Sequence, residues 1–233
     1  MFIDGGKGPG SRLLRAYLLN QAVHWFTVGL IFPILILLLL DKGLDLFQSG
    51  LIMAVYSGTA VALELPTGGL ADSIGRKRVY ILSVFVHILA VSSFIFSFNF
   101  ITIALAAFLL GLGRALSSGS IDAWFVDEFK AATPQGNLQE ALAKANIFVP
   151  IGLGLGSLLG GIIPMTLGSA LNTGLGMTIF GANLIVVLGV DVLQIFLTRR
   201  IIVETTMSPR PGGWREGFRS VPSVISTSIT YGI

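Results

Sequence analysis

The stretch Gly68-Gly69-Leu70-Ala71-Asp72-Ser73-Ile74-Gly75-Arg76-Lys77-Arg78 closes one long apolar region and leads straight into another. Phe47–Leu70 lies before it and Val79–Phe98 after it. Each is about 20 residues or longer, the length an α-helix needs to cross a hydrocarbon layer roughly 30 Å thick. A polar link between two such segments belongs at a membrane face. Gly75 permits a sharp reversal there, the three consecutive cations hold the link in the cytoplasm, and Asp72 is placed to face a helix N-terminus or an arginine.

The rest of the chain repeats the pattern. Of 233 residues, 53% are hydrophobic and 12% charged, with mean hydropathy +0.84, against about 25% charged in soluble domains. Six apolar segments can be read: Ala16–Leu40, Phe47–Leu70, Val79–Phe98, Ile101–Ile121, Ala143–Met165 and Leu175–Leu197. The first follows Lys7, Arg12 and Arg15 as a signal peptide would, but it is too long for one and no A-x-A site follows, so it reads as a span. The expected fold is an all-α membrane protein with six transmembrane helices.

Lys and Arg set the direction of insertion. Lys7, Arg12, Arg15, Arg76, Lys77, Arg78, Lys130, Lys144, Arg199, Arg200, Arg210, Arg215 and Arg219 all fall on one side of this arrangement, and only Lys42 on the other. Both termini are therefore expected in the cytoplasm, in a multi-pass protein of the plasma or inner cell membrane. The basic pI near 9.4 then reports topology rather than a nucleic-acid partner. The absence of cysteine excludes disulfides and thiolate metal sites. Two histidines are too few for a histidine-rich cluster, so neither metal nor cofactor is expected.

The link Ser97–Phe100 is short, which makes its flanking spans antiparallel neighbours. The longest interior connection is expected over Asp122–Leu142, with Pro134-Gln135-Gly136-Asn137 as its turn. Residues 1–198 read as a membrane domain. Residues 199–233 read as a cytoplasmic linker, with Pro209, Pro211, Gly212 and Gly213, an interfacial helix over Trp214–Val221, and the start of an absent second half.

Ionisable groups inside a bilayer cost roughly 2.5 to 3.5 kcal/mol each on insertion scales, so they mark function or specific pairing. His24, Glu64, His87, Arg114 and Asp191 qualify. At 1.5 Å per residue they lie about 12, 9, 12, 11 and 9 Å from the cytoplasmic edges of their spans, in one layer. Arg114 stays charged and seeks a carboxylate. Burial and a nearby arginine act oppositely on a carboxylate, so Glu64 or Asp191 is expected to exchange protons, with Arg114 as counter-charge. A static buried pair is the alternative. His24, near Asn20 and Gln21, is expected to line a cavity or to pack. His87, beside apolar Val86, Ile88 and Leu89, reads as a packing residue. Trp25, Phe26 and Phe180 suit a cavity wall or a lipid-facing surface equally. Asp122 is expected either to pair with Arg76, closing a network with Asp72, or to end a helix in solvent. Gly152, Gly156 and Gly160, with Gly161 beside them, make a smooth face for close helix packing. Pro33 and Pro150 are expected to kink their spans.

The link after the second span resembles the signature loop of the major facilitator superfamily. Gly68, Asp72, Gly75, Lys77 and Arg78 fit its pattern; Ser73 stands where a basic residue is usual. Gly113-Arg114 and the residues to Trp124 are similar to that superfamily's fourth-span arginine motif, whose arginine is tied to proton coupling, although Gly119 falls one position late. Gly156-Ser157-Leu158-Leu159-Gly160-Gly161 resembles the exporters' span-five motif with Ser157 in place of its proline. The resemblance implies a three-plus-three repeat forming half of a twelve-helix fold, with substrate bound near the midplane between two halves. It implies a proton-coupled exporter of small amphipathic compounds, with protons, a small-molecule substrate, the lipid bilayer and a C-terminal six-helix half as partners. The alternatives are an importer or symporter of the same superfamily, and a membrane scaffold that moves no solute. No Ser/His/Asp constellation or phosphate loop points to an enzyme.

Overall fold

The computed structural model describes residues 8–168, 172 and 178–205. The Pro209–Gly213 linker and the Trp214–Val221 helix read from the sequence lie outside the described residues. Among those described there are no strands, and six helical stretches are long and apolar enough to cross a membrane.

Helix α1 (Pro9–Ile31) starts with proline in its first turn, where the missing N–H costs nothing. Pro33 then breaks it into a 3-10 turn, Phe32–Ile34, after which α2 (Leu35–Asp41) completes the first span. Helix α3 (Leu46–Ile74) begins at a capping box in which Asp45 accepts the Gln48 amide at 2.7 Å and Gln48 accepts the Asp45 amide at 3.1 Å. It runs through Pro66 and stops at Gly75, whose φ of +106° suits glycine and few other residues. Helix α4 (Arg76–Phe96) follows without a spacer. Asn99 and Thr102 form a second capping box at the start of α5 (Phe100–Ser118). Then come α6 (Ile121–Ala132), α7 (Leu138–Ile163), a π turn over Pro164–Gly168, and α8 (Gly181–Ile201).

The expected long link Asp122–Leu142 is mostly helix. Helix α6 extends the fourth span, and only residues 133–137 turn, at the Pro134–Asn137 signature. An apolar-run criterion passes over α6 because it is amphipathic: Ile121, Trp124, Phe125 and Phe129 form a buried stripe at helical spacing, while Asp127 and Lys130 face outward.

The packing has an internal two-fold pattern. The first span packs on the fifth as the fourth packs on the second, the third and sixth pack on each other, and α4 meets α5 as α8 meets α1. These contacts are unchanged when spans one to three are exchanged with four to six, which is the three-plus-three arrangement. Backbone approach at the α1–α7 seam is close. A Cβ on Gly152 would lie 2.6 Å from the Ala22 carbonyl oxygen, one on Gly160 2.7 Å from that of Leu30, and one on Gly156 would overlap that of Phe26. Gly161, by contrast, faces open space. Asn183 of α8 pins this seam by donating Nδ2 to the carbonyls of Leu30 (3.0 Å) and Gly160 (2.8 Å). The Gly160 carbonyl lacks its helical donor because Pro164 has no N–H, so the asparagine satisfies a group the proline leaves orphaned.

Two large apolar clusters and a small one around Ala71, Val79 and Leu116 form the interior. One large cluster, containing Leu30, Leu38, Val91, Ile103 and Val187, lies toward the α2–α3 turn; the other, containing Tyr17, Tyr80, Trp124, Phe125 and Ile202, lies toward the Arg76–Arg78 end. Along α1, α4 and α8 the residues between the clusters include His24, His87 and Asp191.

Candidate functional site

A cavity of 330 Å³ opens in this intermediate layer, with walls from α1, α3, α4, α5, α7 and α8. Its lining is mainly apolar and aromatic, from Trp25, Ile31, Phe32, Tyr56 and Leu153. Trp25 thus takes the cavity reading. Phe26 and Phe180 pack against the apolar cluster instead.

Four ionisable groups that line the cavity, His24, His87, Arg114 and Asp191, belong to the layer inferred from depth. His87 is not a packing residue. Its Nδ1 lies 2.7 Å from Oδ2 of Asp191, whose side chain is only 5% exposed. Residues adjacent in sequence point to other helix faces, so apolar Val86 and Ile88 carry no information about the face His87 occupies. Ser83, one turn earlier and also in the cavity wall, was the available signal.

Glu64 lies outside the cavity, exposed on α3, and does not pair with Arg114. Depth along a helix fixes height, not azimuth, and Glu64 shares an exposed face with Val61 and Leu65. Arg114 points into the cavity with its guanidinium carbon 5.9 Å from the Trp25 ring centroid. Among the described residues no carboxylate stands within 4.0 Å ion-pair distance of it.

From Gln194 in the cavity wall a buried amide chain joins three spans. Gln194 donates Nε2 to the Tyr80 hydroxyl at 2.8 Å and to the Asn20 carbonyl at 3.2 Å, and Asn20 donates Nδ2 to Thr198 Oγ1 at 2.8 Å. Toward the basic end, Asp122 Oδ1 accepts from Tyr17 (2.7 Å) and Gln21 (2.7 Å), while the Tyr17 ring stacks on Phe125 at 4.2 Å.

Asp122 is therefore not the partner of Arg76. That role falls to Asp127, 2.7 Å from Arg76 Nη1, while Asp72 is 3.2 Å from Nη2. Five residues along α6 turn the side chain by about 140°, which carries Asp122 toward α1 and Asp127 toward Arg76. Glu204, not singled out from the sequence, joins this group. It accepts the backbone amides of Arg76 (2.8 Å) and Lys77 (3.4 Å) at the start of α4. A helix whose first turn holds Arg76, Lys77 and Arg78 opposes its own dipole, and that conflict was the sequence signal for an external carboxylate. Lys77 in turn donates to the carbonyls of Arg199 (3.1 Å) and Ile202 (2.5 Å), and Trp124 Nε1 to that of Val203 (3.0 Å). Thr205 binds the Glu128 carboxylate through its amide at 2.6 Å. The segment after α8 is thereby strapped across the basic end.

The chain belongs to the Major Facilitator Superfamily, whose sequence model matches residues 17–229. It is 34% identical over 104 residues to YxaM of Bacillus subtilis (strain 168), an uncharacterised MFS-type transporter, covering 45% of this chain and 26% of that protein. It is 24% identical over 151 residues to MJ1560 of Methanocaldococcus jannaschii, likewise an uncharacterised MFS-type transporter, covering 62% of this chain and 38% of that one. The chain thus matches well under half the length of either relative. Among solved structures it is similar to the POT family transporter PepTSo, with a TM-score of 0.54 at 14% identity over 86% of this chain and 40% of that one, a likeness of fold alone. The family is one of transporters, which sets the chain outside the enzymes.

Proposed function

We propose that this chain is the N-terminal half of a secondary transporter that exports small amphipathic compounds in exchange for protons. In this reading residues 1–198 are the membrane domain, and 199–233 are the cytoplasmic linker toward a C-terminal six-helix half. The basic end with Arg76–Arg78 faces the cytoplasm of a cell whose plasma or inner membrane holds the protein. The observation that carries the reading is the His87–Asp191 pair in the cavity wall. A carboxylate paired with a titratable base, in contact with the space a substrate would occupy, can take up or release a proton as that space fills and empties. Coupling is assigned to Asp191 with His87 rather than to Glu64, which does not touch the cavity.

The test uses the full-length transporter in proteoliposomes. Asp191→Asn is expected to abolish flux driven by a pH gradient while leaving substrate exchange at equal pH, and Glu64→Gln to leave both. Proton-driven flux that survives Asp191→Asn would remove the coupling assignment. Imposing the gradient in each direction separates export from import. A scaffold would show no flux under either gradient. A Lys77→Cys substitution, with labelling read against the unsubstituted transporter, reports orientation. It should react with an impermeant maleimide only after the cells are permeabilised.

A further inference from the structure

We infer that the cavity is built for an amphipathic organic anion, a carboxylate carried on an apolar, aromatic-sized body, with Arg114 as its recognition group. The inference rests on the transport reading above and specifies the substrate class of the same cavity.

Among the described residues, the ionisable groups of the cavity wall leave one cation without an acid beside it. The Asp191 carboxylate is engaged by the His87 imidazole at 2.7 Å. His24, the remaining imidazole, packs edge-on to Trp25 with ring centroids 5.8 Å apart. Arg114 is permanently cationic, and its close companion is an indole face, not an acid. Asp122 interacts with it electrostatically, but the Oδ1 of that carboxylate is held by Tyr17 and Gln21, and Asp122 is not part of the cavity wall. Among the described residues Arg114 is therefore a cation of the wall with no carboxylate within ion-pair distance.

A guanidinium that faces a cavity without a carboxylate partner gains from a ligand that supplies the anion, and its planar fork matches a carboxylate's two oxygens. The rest of the wall fixes the body of the ligand. Trp25, Phe32, Tyr56, Met53 and Leu110 present apolar and aromatic surface. The 330 Å³ that this chain alone encloses has room for an aromatic-sized group. A cationic amphiphile, in contrast, would meet the guanidinium with like charge.

The test measures binding by isothermal titration to the purified full-length protein, using 2-naphthoate, the neutral 2-naphthamide and the cationic 2-naphthylmethylammonium as shape-matched probes. Naphthoate should bind about tenfold or more tighter than the amide, and the ammonium weakest. Arg114→Gln should erase the gap between anion and amide, and Arg114→Lys should keep part of it. The inference is overturned if naphthoate binds no tighter than the amide, if the ammonium is preferred, if none of the three saturates, or if the anion preference survives Arg114→Gln. A carboxylate from the second half seated on Arg114 would appear as lost anion preference in the wild type. The wild-type ranking decides the matter even if Arg114→Gln does not fold. Failure of transport is separable: anion preference without proton-driven flux defeats the transport reading alone, and flux with the opposite ranking defeats this inference alone.

Discussion

The carboxylate of Glu204 caps the first turn of α4 by accepting the amide of Arg76 at 2.8 Å, so the strand of chain leaving the sixth span closes onto the link between the second and third. This is an N-cap supplied from 128 residues away in sequence, set against three cations that the helix dipole disfavours. Glu204→Ala should lower the stability of the detergent-solubilised protein by about 1–2 kcal/mol. It should also speed amide exchange at Arg76 and Lys77. Glu204→Gln, which keeps an acceptor but removes the charge, should fall between. Unchanged exchange at those two amides in Glu204→Ala would show that the strap does not hold the helix start.

The Arg76 partnership separates what the residues announced from what only the fold decides. A double-mutant cycle between Arg76→Ala and Asp127→Ala should give a coupling of about 0.2–1 kcal/mol, small because the Asp127 side chain is 51% exposed and water screens the pair. The same cycle with Asp122→Ala should be additive within about 0.3 kcal/mol. Coupling to Asp122 that exceeds coupling to Asp127 would restore the reading from the link sequence.

What could be read in the chain was whatever depends on one dimension. Span number follows from run length, and the layer of His24, His87, Arg114 and Asp191 follows from rise per residue. That Gly152, Gly156 and Gly160 form one face for close helix packing follows from their spacing. What could not be read depends on azimuth or on partners distant in the chain. Glu64 shares the depth of that layer yet faces away from it, and Asp122 and Asp127 differ only in rotation about α6. His87 was hidden by apolar neighbours that lie on other faces. Glu204 sits in a polar stretch that no local pattern ties to α4.

The α1–α7 seam makes a sharper prediction, because glycines that look equivalent in sequence differ in space. Gly156→Ala places a Cβ against the Phe26 carbonyl oxygen, where backbone must give way. It should cost about 1–3 kcal/mol in thermal or denaturant unfolding. Gly161→Ala enters open space and should change stability by less than about 0.5 kcal/mol. Equal effects at the two positions would mean that the seam is not the close helix contact seen here.

The His87–Asp191 pair can be probed as structure as well as mechanism. Removing His87 leaves the buried Asp191 carboxylate without its hydrogen-bond partner, which typically costs about 1–3 kcal/mol, whereas replacing both with apolar residues of similar volume is often neutral. His87→Ala should therefore destabilise the solubilised protein strongly, and His87→Leu combined with Asp191→Leu should recover most of that loss. The double variant should nevertheless carry no proton-driven flux, since it retains the packing and lacks both titratable groups. Strong destabilisation in the double variant would indicate that the pair is held in place by further polar contacts. A stable double variant that still couples flux to protons would move coupling elsewhere in the cavity, with His24 as the next group to substitute because it lines the same wall.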